Sequence, residues 1–297
     1  MAKKNNKILS TLIKLGIVNK KDIEIFSKST RDVNNLSVFK DKKSKVIFID
    51  NFYVGIEEYQ KANYKKIIKP GLKNKNSNYE DYENTQRRIK KYIQFISGLN
   101  ICDFGCGSGD FLINSKEYSN NICGIEPEIK NKNNLNKIGI QCYSNIEEVK
   151  VTLDTIFLFH SFEHLDDPLS SLKKIYNKLK SNGKGRVIIE VPHAKDFLLD
   201  TIKLNSFKNF TLWSQHLILH TRDSLYLFLK EAGFQDINIE GVQRYNIANH
   251  LYWLNKNKPG GHKSNLSIIE TEELKKAYSN ALSKIDANDT LVAIATT

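Results

Sequence analysis

The stretch CDFGCGSGDFL, residues 102–112, decides the fold. An apolar run, LNICDF, leads into it, and an amphipathic pattern, GDFLINSKEY, leaves it. Glycines allow a sharp turn and a close backbone approach to a ligand, and a helix N-terminus favours polar or anionic groups. The stretch therefore predicts a nucleotide-binding loop between a β-strand and an α-helix. A glycine-rich turn without a ligand is the structural alternative.

An acidic residue follows the next predicted strand. Glu126 ends the run NICGIE, about 20 residues after the first loop glycine, where a carboxylate can accept both ribose hydroxyls of an adenosine. The loop spacing G-x-G-x-G is tighter than that of dinucleotide sites, and Asp103 before it would repel a pyrophosphate but suit an ammonium group. These features favour S-adenosylmethionine (SAM) over NAD.

Strand and helix patterns alternate from residue 99 onward. Continuous apolar runs between amphipathic helices indicate an α/β fold, with a parallel sheet covered by helices on both faces. The predicted strands are LNICDF (99–104), NICGIE (121–126), IQCY (140–143), TIFLFH (155–160), GRVIIEVP (185–192), DINIEGV (236–242) and TLVAIAT (290–296).

The first part of the chain does not show this regular alternation of strand and helix patterns. Helical patterns at 7–17 and about 20–28 precede a strand-like run at 45–52, and the Pro-Gly-containing stretch 69–78 predicts a loop or linker. We therefore divide the chain into an N-terminal extension or cap, 1–79, and a main domain, 80–297.

Composition limits the classes of protein. An apolar fraction of 40% is that of a globular chain. The net charge of +12 comes mostly from lysines scattered among asparagines. Proteins that bind double-stranded nucleic acid more often have arginines clustered on one face, so nucleic acid is disfavoured as a partner. The four cysteines form no CxxC pair, which predicts neither disulfides nor a metal site in a cytoplasmic protein. No apolar run is long enough to span a bilayer.

Three segments carry a family resemblance. DFGCGSGDFL, then GIEPE, then FHSFEHLDDPLSSLKKIYNKLKSNGKGRVIIEVP resemble class I SAM-dependent methyltransferases over about residues 80–242. The resemblance implies a Rossmann-like sheet of seven strands whose last strand, TLVAIAT, is antiparallel beside the sixth. It also implies SAM as the cofactor.

The resemblance assigns SAM-binding residues by position. They are Asp103, Gly105, Gly107, Glu126, Pro127, Asn145, Ile146 and His160. In the family the glycines line the methionine and ribose side, Glu126 holds the ribose and Pro127 lies beside the adenine. Asn145 and Ile146 correspond to adenine contacts, although the family's usual aspartate is missing there. His160 is expected near the sulfonium.

Catalysis by methyl transfer requires alignment of the acceptor, and a base only when a hydroxyl or carbon acid must lose a proton. Histidine suits that role because its pKa lies near neutral pH. His164 and His193 follow predicted strands on the ligand edge of the sheet, and His216 lies before a later helix. All three are candidate bases, and a structural role for the pair Glu163-His164 remains open.

Two insertions are predicted on the acceptor side, at about 193–220 and 243–268. The helix SLYLFLKEAGF after the first is similar to one in methyltransferases of sugar-nucleotide and surface-polysaccharide clusters, where Glu-His stands in place of Gln215-His216. The N-terminal lead, SKSTRDVNNLSVFKDKKSKVIFID, is similar to theirs as well. Candidate contact residues are tyrosines of the cap and aromatic residues of the second insertion: Tyr53, Tyr59, Tyr64, Tyr245, Tyr252 and Trp253.

These observations predict a SAM-dependent methyltransferase acting on a sugar nucleotide or surface-glycan precursor, at oxygen. An RNA or other nucleic-acid methyltransferase is the first alternative, but no RNA-binding module is recognisable. Small-molecule or lipid acceptors and a non-catalytic SAM-binding protein are further alternatives. The expected partner is a small-molecule acceptor, and a homodimer remains open.

Overall fold

The structure is a computed structural model that describes residues 5–61, 77–180 and 183–297. The N-terminal part contains α1 (Ile8–Lys14), β1 (Ile23–Ser27), β2 (Val38–Asp41), β3 (Ile47–Phe48) and α2 (Ile56–Gln60). Tyr64 and most of the predicted linker lie outside the described residues. The last two linker positions, 77 and 78, instead begin a helix.

Seven strands form the large sheet. They are β4 (Asn100–Phe104), β5 (Asn121–Ile125), β6 (Gln141–Tyr143), β7 (Thr155–Phe159), β8 (Arg186–Pro192), β10 (Gln235–Val242) and β11 (Thr290–Thr296). Their order is β10-β11-β8-β7-β4-β5-β6. Strand β11 is antiparallel to both β10 and β8, and the other pairs are parallel. The predicted seven-stranded sheet with an antiparallel last strand is confirmed.

Helices cover both faces of the large sheet. They are α3 (Ser77–Tyr92), α4 (Asp110–Ser115), α5 (Ile129–Lys137), α6 (Pro168–Lys180), α7 (Asn205–Thr211), α8 (Arg222–Ala232), α9 (Ile247–Lys256) and α10 (Glu272–Lys284). Successive residues of a strand point to opposite faces. In β7, Ile156 and Leu158 join the core under α6 and α8, whereas Phe157 and Phe159 join the core under α3 and α4.

A small antiparallel sheet has the order β1-β2-β3-β9, where β9 is Ile218–Leu219. Three of its strands come from the N-terminal extension, but β9 belongs to the predicted insertion 193–220. Buried residues of the extension, including Leu12 and Phe48, belong to the same core as α6 and α8. The extension is therefore packed onto the large-sheet domain. The predicted boundary at 79/80 falls within α3.

The predicted helix at 20–28 is wrong. A 3₁₀ turn, Lys20–Asp22, leads directly into β1, which pairs antiparallel with β2. Pairing with a neighbouring strand outweighs local helix propensity in such a short segment. The insertion at 243–268 is largely helical, with α9 and two 3₁₀ turns. Within the described ranges, every helix is too short or too polar to cross a bilayer.

Candidate active site

The glycine loop joins β4 to α4 and is held from two sides. The backbone N–H of Gly105 donates to the Ile125 carbonyl across 2.7 Å. Gly105 has φ +83°, and a Cβ there would lie 2.5 Å from the Ser161 Cβ. The Ser161 hydroxyl in turn donates to the Phe104 carbonyl. Only glycine fits here without strain, which explains why the loop needs that residue.

Glu126 is fixed at the end of β5. Its Oε2 accepts from the backbone N–H of Gly107 and its Oε1 from that of Glu128, both across 2.7 Å. The side chain is buried. A carboxylate oxygen can accept more than one hydrogen bond, so Glu126 can hold the loop and still accept from a ligand hydroxyl.

A cavity of about 280 Å³ opens beside this loop, and we call it the donor cavity. Its lining includes predicted residues Gly105, Gly107, Glu126, Pro127, His160 and His164. Tyr53 and Tyr59 from the N-terminal extension also line it, with their rings stacked at a centroid distance of 6.0 Å. The predicted tyrosine cap therefore lies over the donor cavity in the part of the chain that the structure describes.

Three predicted SAM-binding residues lie outside this lining. Asp103 is buried beneath the loop, its Oδ1 has no hydrogen-bond partner among the described residues, and burial raises its pKa to about 7. Asn145 is exposed and caps the turn after β6 by accepting from the Glu148 N–H. Ile146 is buried in the core. The neighbouring Ser144 lines the cavity instead.

His160 lies in the wall between two cavities. It follows β7 with φ +53°, an uncommon conformation for a non-glycine residue that is often associated with functional sites. Its Nε2 lies 2.6 Å from a guanidinium nitrogen of Arg244. Burial, and then the charge of Arg244, hold its pKa well below the usual range. The ring is therefore neutral and lines both cavities.

The second cavity, of about 300 Å³, is called the acceptor cavity. Both predicted insertions and the N-terminal extension contribute to it. Its cationic side chains are Arg31, Arg244 and Lys263; its aromatic rings are Phe207, Phe210, Tyr245 and Trp253; its histidines are His160, His193, His216, His250 and His262. Tyr252, predicted as a stacking residue, is not part of the lining. Two carboxyl groups, Asp196 and Asp289, also belong to the lining, and burial raises the pKa of both. The arginines and rings together suit an acceptor that carries an anionic group and a ring.

Glu163, His164 and His216 come together near this wall. Each offers one ligand atom, and these atoms lie within 4.8 Å of one another. The Leu217 N–H donates to the Glu163 carbonyl, and the His164 Nδ1 lies 2.7 Å from the Gln215 carbonyl. These contacts join the turn after β7 to the segment before β9. Sequence reasoning singled out both histidines but could not predict that they meet.

Burial dominates the charge states of this cluster. It raises the pKa of Glu163 to about 8, and it lowers the pKa of His164 to about 4. His216 is shifted in the same direction as His164, first by burial and then by the nearby His164 ring. Both imidazoles are therefore neutral near pH 7, with lone pairs available to a proton or a cation.

His193 follows β8 and lines the acceptor cavity. Its Nδ1 lies 3.0 Å from the Asn288 carbonyl, so the neutral ring carries its proton on Nδ1. The Nε2 is buried without a hydrogen-bond partner in the described structure, 4.0 Å from a carboxylate oxygen of Asp286. Burial lowers its pKa to about 4, and Asp286 opposes this shift. The neutral ring therefore keeps a lone pair on Nε2, beside Asp286, in a residue that lines the acceptor cavity.

Sequence reasoning missed both arginines of the acceptor cavity, Arg31 and Arg244. Arg31 packs on the Trp213 ring, with its guanidinium carbon 4.7 Å from the ring centroid. The scattered lysines drew attention away from them, although the chain has only six arginines among 45 basic residues. That rarity is a signal that could have identified them.

Comparisons with known proteins identify the family of the main domain. A family model described as "Methyltransferase domain" matches residues 79–239. A tRNA U34 carboxymethyltransferase of Campylobacter lari is 27% identical over 119 residues, 36% of this chain and 40% of that protein. One of the same name from Alteromonas mediterranea is 24% identical over 175 residues, 52% of this chain and 50% of that protein. The chain thus spans half or less of these relatives.

Among solved structures, a SAM-dependent methyltransferase from Archaeoglobus fulgidus resembles the chain at a TM-score of 0.48. It is 22% identical, and the match covers 72% of this chain and 94% of that one.

Proposed function

The chain belongs to the methyltransferase-domain family and is a SAM-dependent enzyme; we propose that it methylates an oxygen of a sugar nucleotide or surface-glycan precursor. One observation carries the proposal. The donor and acceptor cavities share His160, and the acceptor cavity combines Arg31 and Arg244 with aromatic rings. A diphosphate and a sugar ring require these two kinds of contact.

The polar groups of the donor cavity, as well as its position beside the glycine loop, suit SAM as the ligand. Glu126 supplies carboxylate oxygens for the ribose, and Gly107, where no atom lies within 4 Å of the position of a Cβ, leaves the backbone open to close approach. Asp103 is buried beneath the loop with its Oδ1 unpartnered among the described residues, and its carboxyl group would attract the ammonium of a methionine moiety. The bound donor supplies a methyl group already activated by its sulfonium. The protein must then align the acceptor and exclude water.

The acceptor cavity supports recognition by charge and shape. Guanidinium groups bind phosphate oxygens in a fixed, often bidentate geometry. Tyr245 is partly exposed in this lining, so a sugar can pack against its ring, whereas the Trp253 ring is buried against Phe207 and Phe210. The cavity volume of about 300 Å³ matches the lower end of ligand sites. It fits the sugar end of a nucleotide sugar, with the remainder extending outward.

We assign the general base to His193 among the three candidates. His193 lines the acceptor cavity, its Nε2 has no hydrogen-bond partner in the described structure, and its Nδ1–H donates to a backbone carbonyl. His164 instead borders the donor cavity. His193 can take the proton of an acceptor hydroxyl while Asp286 stabilises the resulting imidazolium.

RNA is the second candidate acceptor. The specific observation in its favour is the name of the two curated relatives, tRNA U34 carboxymethyltransferase. A nucleoside also combines a phosphate with a ring, so Arg31 and the aromatic residues would serve it as well. This candidate runs against the sequence-based expectation that nucleic acid is disfavoured.

The test is methyl transfer from labelled SAM to UDP-, GDP-, TDP- and CDP-linked sugars, with total RNA as a parallel acceptor. Label on a sugar nucleotide supports the proposal, and mass fragmentation then locates the methyl. Label on RNA alone overturns it in favour of the second candidate. If neither acceptor is labelled although SAM still binds, the proposal that the acceptor is a free sugar nucleotide is contradicted, and lipid-linked glycans are the next acceptors to test.

A further inference from the structure

We propose that Glu163, His164 and His216 bind one divalent cation at the wall between the donor and acceptor cavities, and that this cation holds the acceptor oxygen. The role toward the acceptor rests on the proposed function, but the metal site does not. The sequence predicted no metal because it has no paired cysteines. Here the ligands are one carboxylate and two imidazoles from segments far apart in the chain.

The donor atoms are of the right kind and close together. One ligand atom from each residue lies within 4.8 Å of the others. Zinc is bound by histidine nitrogen and carboxylate oxygen at about 2.0–2.2 Å. Each of the three ligand atoms would therefore have to move toward the ion by about 1 Å. Two histidines and one carboxylate leave coordination positions open, as in catalytic rather than structural sites.

The Glu163 carboxyl group is fully buried and poorly satisfied. Neither of its oxygens has a partner within hydrogen-bond distance and angle among the described residues. Two weaker contacts are its own backbone and the His160 Nδ1, 3.4 Å from Oε1. A buried carboxyl group without partners is expensive in a folded protein. A cation at this place would satisfy it.

Both imidazoles are oriented by backbone groups, as metal ligands usually are. The His164 Nδ1–H donates to the Gln215 carbonyl, so the lone pair lies on Nε2, and the ring also interacts with the His160 backbone. In His216, Nδ1 has no hydrogen-bond partner within the described ranges, and the Thr211 backbone interacts with the ring. The two ring centroids are 5.1 Å apart. The second nitrogens thus hold the rings in place.

The position of the cluster gives the cation a function. His164 lines the donor cavity and His216 the acceptor cavity. A divalent ion lowers the pKa of a bound hydroxyl and orients its oxygen. In the transfer, the acceptor O–H bond and the sulfur–methyl bond break and an oxygen–methyl bond forms. Sulfur leaves as a neutral thioether, and His193 receives the proton.

The experiment measures metal binding without donor or acceptor. The full chain is treated with chelator, dialysed and titrated separately with Co²⁺, Mn²⁺ and Zn²⁺, and bound metal is counted by mass spectrometry. We expect one ion per chain. Glu163→Gln and His216→Gln should each weaken binding at least about 100-fold, the upper end of what loss of an outer-shell partner does. His262→Gln, in the acceptor cavity but outside the cluster, is the matched control and should bind as the wild type does.

A second measurement does not depend on the variants folding. Paramagnetically shifted imidazole proton resonances of the Co²⁺-loaded wild type should show two histidine ligands. The site is wrong if none of the three ions binds stoichiometrically, if both cluster variants keep wild-type affinity, or if no shifted imidazole resonances appear.

Failure of this inference and failure of the proposed function give different results. If one metal ion binds per chain, the cluster variants abolish that binding and no sugar nucleotide is methylated, the metal site is supported and the proposed acceptor is contradicted. If a sugar nucleotide is methylated even after exhaustive chelation, the proposed acceptor is supported and the role of the metal in the transfer is contradicted.

Discussion

Arg244 donates a hydrogen bond to His160, with 2.6 Å between the guanidinium nitrogen and Nε2. Because a guanidinium has no acceptor, Nε2 must carry the lone pair and Nδ1 the proton. The same Nδ1 lies 3.4 Å from the Glu163 carboxylate. Arg244, which follows β10, therefore sets the tautomer of a residue that follows β7 and lines both cavities.

Glu126→Gln should weaken SAM binding about 10- to 100-fold, because hydrogen bonds to a charged group contribute about 1.5–3 kcal/mol. The amide replaces one accepting oxygen with a donor that faces the Gly107 or Glu128 N–H. Isothermal titration with SAM measures the change. Glu147→Gln, an exposed carboxylate paired with Lys174, is the control. Unchanged affinity in Glu126→Gln would mean that the ribose is held elsewhere.

Gly105→Ala should destabilise the fold more than Gly107→Ala. Both positions have positive φ, which costs a side chain about 1–2 kcal/mol. At Gly105 the new Cβ also meets Ser161 at 2.5 Å, whereas at Gly107 no atom lies within 4 Å. Overpacking adds about 1–3 kcal/mol. Chemical denaturation of the two variants gives the difference in their free energies of unfolding. If both variants lose the same stability, the predicted clash with Ser161 is contradicted.

Arg31→Ala should raise the KM for the acceptor about 10- to 100-fold by removing a charged contact worth about 1.5–3 kcal/mol. SAM affinity should be unchanged because Arg31 lines only the acceptor cavity of the two. Steady-state kinetics and titration separate these effects. The control is Arg186→Ala, whose guanidinium packs on Phe95 instead. A loss of SAM affinity in Arg31→Ala would argue against separate cavities.

His193→Gln should lower kcat by about 10²–10⁴, the usual contribution of a general base. Glutamine can still donate to the Asn288 carbonyl but cannot take the acceptor proton. KM and SAM affinity should change little. Single-turnover rates provide the measurement. Wild-type turnover would move the base role to His164 or His216.

His220→Gln should reduce the loss of stability in acid. Burial lowers the pKa of His220 to about 3, from an unfolded value of 6.5. Between these values the unfolded chain binds a proton that the folded chain does not, so this histidine destabilises the fold as the pH falls. From pH 6.5 to 5 the wild type should lose about 1.5 kcal/mol more than the variant. Denaturation curves of the wild type and the variant at both pH values test the sign of this effect. If both proteins lose the same free energy of unfolding, the lowered pKa of His220 is contradicted.

The sequence could indicate that the loop glycines and Glu126 come together because these residues are close in the chain. The loop glycines and Glu126 lie at the ends of adjacent parallel strands, so strand pattern and spacing are enough to bring them together. Asp103 was placed correctly in the chain, but its burial beneath the loop was not visible. Asn145 and Ile146 were assigned by family position, and here one caps a turn and the other packs in the core.

The acceptor side depends on contacts between distant segments, which no local pattern encodes. Arg31 reaches its cavity because the Asp32 carboxylate binds Ser214 in the insertion. The meeting of Glu163 with His216 requires the Leu217 N–H to pair with the Glu163 carbonyl. Strand β1 was mistaken for a helix for a different reason: its short pattern does not show the pairing with the next strand, β2, that makes it extended.

The pairing of Ile47 with Leu219 also bears on how the chain matures during synthesis. Strands β1 to β3 leave the ribosome early, but the edge of β3 must wait about 170 residues for β9, and long-range pairing of this kind is slow. His216 is carried by the segment that closes this edge. The loop and Glu126 of the donor side are therefore synthesised before this edge can pair, and the acceptor cavity is completed only later still, when Arg244 and Thr290 have followed.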